Sequence, residues 1–242
     1  MLGTSMRMLK RILPLLGLLI ICAIPSHAQT FVRASTSVEG NPAVGTLTNT
    51  AGNTLIDFVY CYATPCTITV SDTVNGAHTA IANCTNMLSA GVSVYVFERD
   101  SIGAGANTIT ATVSATSDIY VAEYNNMAAS ALDKTACSTS STTTSSVTTT
   151  AANEVLIAMG FSNSTTPSVG AGYASRWTSS GTTFTGRGED QNVTSTGTYA
   201  GTIGATTAPR GIILITMKQA VSGSAASMVA GPSKIAGPAK TD

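Results

Sequence analysis

Few side chains in this sequence carry reactive chemistry, and their spacing limits what each could do. A serine-type hydrolase needs a base beside its nucleophile. Beyond residue 28 the sequence has one histidine, His78, two residues after the Asn75-Gly76 pair and with no G-x-S-x-G elbow nearby. It reads as an exposed hairpin residue. A glycoside hydrolase needs two carboxyl groups facing one cleft about 5–10 Å apart. The candidates are Glu123, Glu189 and Asp190. Glu123 shares a strand face with Ile119 and Val121, so it reads as a buried carboxylate satisfied by an arginine or a backbone amide. Glu189 and Asp190 follow Gly186-Arg187-Gly188 and read as a solvent-exposed loop. No residue is assigned a catalytic role.

Binding chemistry is equally sparse. Trp177 is the single tryptophan, flanked by Arg176 and close to Tyr173. An exposed indole beside an arginine and a tyrosine suits the apolar face of a sugar ring, so these three are the candidate ligand contacts. The competing reading is that Trp177 plugs one end of the core. The D-x-D-x-D-G calcium loop is absent, as are a phosphate loop and a dinucleotide fingerprint. No cofactor and no metal are expected. Of the five cysteines, Cys22 lies in an apolar leader, which leaves Cys61, Cys66, Cys84 and Cys137. An even count in an oxidising compartment reads as two disulfides with three pairings open. The expected pairing is Cys61–Cys66, closing a turn between adjacent strands, and Cys84–Cys137, closing a long loop.

These residues must be positioned by strands. Thr108, Thr110 and Thr112 alternate with Ile109, Ala111 and Val113, the pattern of a half-buried strand. Thr67 to Ser71 alternates in the same way. Ile56, Phe58 and Tyr60 share a face, with Asp57 marking the opposite face as the wetter one. Val92–Arg99 and Asp118–Tyr124 add β-branched and aromatic strands. Val155–Phe161 and Ile212–Met217 are continuous apolar runs short enough to be central strands. Asn75-Gly76 is a favoured hairpin pair because both positions tolerate positive φ. Met127–Leu132 is the one stretch that would allow a helical turn, and the Ser/Thr-rich Ser138–Thr150 reads as a loop running into a strand. The pattern predicts an all-β fold: an antiparallel two-sheet β-sandwich, jelly-roll-like.

The leader has Arg7, Lys10 and Arg11, an apolar run Ile12–Ile24, then Pro25, Ser26, His27 and Ala28. That order is a secretory signal, with cleavage expected after Ala28. The run is too short for a comfortable permanent span, so no stable membrane anchor is expected after cleavage. Ile21 stands before Cys22 where a lipidation site needs a small residue. The expected organisation is a signal peptide over 1–28, one domain over 29–219 and a low-complexity, disordered tail over 220–242. All twelve acidic residues follow the leader, while three of the twelve bases lie within it. The resulting mildly acidic balance offers no footprint for nucleic acid.

From Gly52 to Lys218 the order of landmarks is GNTLIDFV, VSDTVNGAH, GAGANTITATVS, IYVAEYNNM, SSVTTTAANEVLIAMG, GRGEDQ, STGTYAGT and IILITMK. In that order the chain resembles bacterial exported β-sandwich domains, found singly or in tandem in surface proteins. The resemblance implies a jelly-roll-like sandwich without a settled biochemical activity. The four cysteines and the short Tyr62–Pro65 connection depart from that pattern. The expectation is an exported, secreted or cell-surface protein, not an enzyme, with a structural or extracellular binding role and a polysaccharide or cell-surface component as partner. A carbohydrate-binding module is the alternative and a glycoside hydrolase the remote one.

Overall fold

The structure is a computed structural model that describes residues 28–87, 91–163, 165–180, 185–204 and 210–221. The expected signal segment up to His27 and nearly all of the expected tail lie outside the described residues. The strands are β1 (Thr30–Ala34), β2 (Thr36–Val38), β3 (Ala43–Asn49), β4 (Thr54–Cys61), β5 (Ile68–Asp72) and β6 (Gly76–Ala77). Next come β7 (Thr79–Met87), β8 (Val92–Arg99), β9 (Gly105–Val113), β10 (Ser117–Asn125), β11 (Met127–Ser138) and β12 (Val147–Thr148). The last are β13 (Glu154–Ser162), β14 (Ala174–Ser180), β15 (Thr185–Val193), β16 (Thr198–Tyr199) and β17 (Arg210–Gln219). The all-β, antiparallel class is as expected.

The strands pair into three five-stranded sheets and one short ribbon. The middle sheet has the order β1-β10-β4-β8-β7. One outer sheet is β2-β3-β9-β5-β6, the other is β11-β17-β13-β15-β14, and β12 pairs with β16. The fold thus adds a layer to the expected pair of sheets, because the middle sheet is apolar on both faces. On β4, Ile56, Phe58 and Tyr60 point toward the β13–β17 sheet and pack with Met159, Phe161, Ile213 and Ile215. Leu55, Val59 and Cys61 point the other way, against Val70, Ile109 and Ala111. All eight β4 positions are buried. Each large side chain withdrawn from water this way contributes about 1.5–3 kcal/mol.

On β9, Ile109 and Ala111 are fully buried while Thr108 and Thr110 lie partly open and Thr112 is exposed, so the alternation read from the sequence is realised. The runs in β13 and β17 are buried on both faces. Leu156, Ala158, Ile212 and Leu214 form a third cluster with Val193 and Ile203, on which Val147 and Tyr199 of the ribbon pack.

Two local expectations are corrected. Met127–Leu132 is the start of strand β11, because its backbone pairs with β17, with register shifts, rather than closing a helical turn. The β5–β6 connection has three residues between the Asp72–Gly76 pair, and of Asn75 and Gly76 Gly76 takes positive φ (81°). The Asp72 carboxylate accepts hydrogen bonds from the amides of Val74 and Asn75, which builds the turn without an Asn in the left-handed region.

Candidate functional site

His78 is not the exposed turn residue that its place after Asn75-Gly76 implies. Its side chain is fully buried between two carboxylates. Nδ1 lies 2.5 Å from Asp57 Oδ2, and Nε2 lies 2.8 Å from Asp72 Oδ2. Asp57, expected on a wetter face, is fully buried at the centre of β4, and His78 is what makes that tolerable. Burial raises the Asp57 carboxyl above its ordinary value, against the hydrogen bond and charge of His78. Burial alone would lower the imidazole, but Asp57 and then Asp72 raise it. Asp72 is also partly desolvated, yet hydrogen bonds from Asn75 and His78 hold it well below the carboxylate range.

Glu123 is the buried carboxylate that the sequence predicts, with no exposed surface. Oε1 accepts from the Thr50 amide at 2.9 Å and from Asn53 Nδ2 at 2.6 Å, and Oε2 pairs with Arg33 Nε at 3.1 Å. Glu189 and Asp190 are corrected more fundamentally: they lie within β15, not in a loop, and both are buried. Successive strand residues face opposite ways, so the two carboxylates are separated by their own backbone. Glu189 accepts from the Gly170 amide at 2.8 Å on one face, where burial pushes it up to about 7. Asp190 pairs with Arg176 Nη2 at 2.8 Å on the other. Glu123, on β10, faces the β3–β9 sheet across the middle layer. No two of the three face one cleft, which removes the glycosidase arrangement that their presence in the sequence allows.

Trp177 is a core residue, 8% exposed, and offers no platform for a sugar ring. It stacks with Phe31 at 6.3 Å between centroids and leans on Phe58 at 6.0 Å. A register shift between Ser175 and Trp177 inserts Arg176 as an extra residue. The bulge turns Arg176 toward the same side, where its guanidinium lies 5.2 Å from the Phe31 ring and ion-pairs with Asp190. Tyr173 packs instead on the far face of that sheet and donates to the Ala200 carbonyl at 3.0 Å. The three proposed ligand contacts are therefore not brought together on a surface.

A surface concavity lies elsewhere, at the edge between β7, the end of β8 and the start of β11. Its volume is about 310 Å³, and Thr79, Ile81, Glu98, Arg99, Asp100, Ser130 and Leu132 line it. Asp100 Oδ2 accepts from the Ser130 amide at 2.8 Å and Oδ1 from Thr54 Oγ1 at 3.2 Å. Glu98 Oε1 is 3.4 Å from the Ala131 amide. Burial, then the charge of Asp100, push Glu98 up to about 7. The sequence carries no signal for this pair beyond the i, i+2 spacing of two acids at a strand end.

Both expected disulfides are formed. Cys61–Cys66 has an S–S distance of 1.96 Å, and Cys84–Cys137, at 2.10 Å, joins β7 of the middle sheet to β11 of an outer one. Bridges of this kind mark an oxidising environment. Among the described residues there is no helix long and apolar enough to cross a membrane. Fold and interior together define a disulfide-bridged, antiparallel all-β protein. No protein-family model, curated protein or solved structure matches the chain.

Proposed function

We propose that this chain is an exported, non-catalytic β-sandwich module with a structural or extracellular binding role. One observation carries the reading: His78, Glu123 and Asp190, three of the side chains whose types could do acid–base chemistry, are already engaged by the fold. His78 bridges two sheets, Glu123 holds Arg33 and the Thr50–Asn53 turn, and Asp190 holds Arg176. A general base must instead reach the proton of a bound substrate. The tripartite leader supports export, as do two disulfides in a chain of this size. The order of strand and turn landmarks supports a place among bacterial exported β-sandwich domains, secreted or at the cell surface. On this reading the purified protein turns over no common glycoside, ester or peptide. The test is a substrate screen comparing wild type with Glu123→Gln and Glu98→Gln. Turnover that either substitution abolishes, with the fold intact, would overturn the reading.

A carbohydrate-binding role keeps one specific support, the cavity at Glu98 and Asp100. Carboxylate oxygens there accept hydrogen bonds from hydroxyl groups, while Ile81 and Leu132 supply apolar contact. Polysaccharide pull-down lost in Glu98→Gln and kept in Trp177→Phe would favour it.

A further inference from the structure

His78 joins two sheets through both of its ring nitrogens, and the joint has a proton requirement. Asp57 sits at the centre of β4 in the middle sheet. Asp72 ends β5 of an outer sheet and builds the turn to β6. The Asn75 side chain extends that turn, donating to Asp72 at 2.8 Å and accepting from the Gly103 amide at 2.7 Å. The His78 amide donates to the Val70 carbonyl at 2.9 Å, so the imidazole is delivered by the hairpin that it fastens.

A neutral imidazole has one N–H, and an ionised carboxylate only accepts. Contacts of 2.5 and 2.8 Å from the two ring nitrogens to two carboxylates therefore need one proton beyond neutral His and two ionised Asp. That proton sits on the ring or on Asp57. Without it, a nitrogen lone pair would face a carboxylate oxygen inside a dry interior, and one contact must open. We propose that Asp57, His78 and Asp72 form a proton-held clasp that fastens the β5–β6 hairpin to the middle sheet and loosens when this proton leaves.

The surrounding charges leave the clasp as the titrating unit. Asp57 comes from β4 and Asp72 from β5. From β8, Arg99 donates to the Ala77 carbonyl at 3.4 Å, while its neighbour Glu98 faces the other side of that sheet. From β10, Glu123 lies diagonally across from Asp57 on the same face and is paired with Arg33. Strands β7 and β9 carry no charged residue, and β9 contributes Asn107. The direction of the effect follows from the raised imidazole and the raised Asp57. The clasp is closed below the ordinary histidine range near pH 6.5 and is lost as pH rises through its raised value.

The test is hydrogen exchange by mass spectrometry on the full chain between pH 5.5 and 10, corrected for intrinsic exchange rates. Protection of amides 70–78 should fall by about tenfold or more across that range, while β13 stays protected. In Asp57→Asn the side-chain amide donates to Nδ1 and Nε2–H donates to Asp72, so no extra proton is needed and protection in 70–78 should be flat with pH. Wild-type protection that stays flat, or an equal fall in Asp57→Asn, would overturn the clasp. Should that variant not fold, ring ¹⁵N and Asp57 carboxyl ¹³C shifts of the wild type decide, with His27→Gln identifying the second histidine signal. A neutral ring beside an ionised Asp57 at pH 5.5 would contradict the proposal.

Discussion

Trp177 rests directly on Gly188, so closely that a β-carbon at 188 would come within 1.9 Å of indole Cε2 and 2.1 Å of Cζ2. The two face each other across the β14–β15 pairing. A glycine inside a strand loses side-chain packing and backbone entropy, and the usual compensation is close approach by another group. Here that group is the single indole, sealed by Phe31 and Phe58.

Gly188→Ala should therefore destabilise the protein by ~1–3 kcal/mol or more, since the added methyl must push the indole out of its slot. Trp177→Ala should cost about 3–5 kcal/mol as a buried aromatic is lost. Combining Gly188→Ala with Trp177→Leu should cost less than the sum of the single effects, because the smaller residue frees the slot. Urea denaturation of the variants measures all three.

Some of this arrangement is legible in the sequence and some is not. The period-2 pattern of Ile109, Ala111 and Val113 was readable because β9 has one wet face. On β4 the same logic fails: Asp57 reads as the wet face of a half-buried strand, whereas a histidine from 21 residues further on neutralises it in the core. Glu189 and Asp190 read as loop residues because Gly186 and Gly188 precede them. Those glycines belong to a strand, and Gly188 is there to admit Trp177. The value of a lone tryptophan as packing was legible, and so was the burial of Glu123. The cavity at Glu98 was not, since it depends on β11 crossing beside β7.

Stability should be highest on the mildly acidic side. Burial raises Glu98 and Glu189 to about 7, so the native state holds their protons more tightly than the unfolded chain does. That contribution is full below their ordinary value near 4.5 and is lost as pH rises from there through about 7. Asp72 acts in the opposite sense: its lowered value gives stability above pH ~3.8 that is lost as pH falls below it. Thermal scans should place the maximum near pH 5, and Glu98→Gln should flatten the decline between pH 5 and 8.

The two disulfides should differ in weight. Cys84–Cys137 closes a 53-residue separation and should contribute on the order of 4 kcal/mol in the chain-entropy picture, against roughly 2 for the five-residue Cys61–Cys66 loop. Replacing each pair by alanine and comparing unfolding free energies tests the ranking. Peptide mapping without reductant should recover these two pairs.

The central claim is that the buried ionisable groups serve the fold. Residues kept for turnover often trade against stability, so replacing them leaves a protein as stable or more so. Residues that anchor buried charge partners do the reverse. The direct measurement is the equilibrium unfolding free energy at pH 6 of wild type, Glu123→Gln, Asp72→Asn and Asp190→Asn. We expect each substitution to lower it by about 1–3 kcal/mol. Unchanged or increased stability in all three variants would contradict the account.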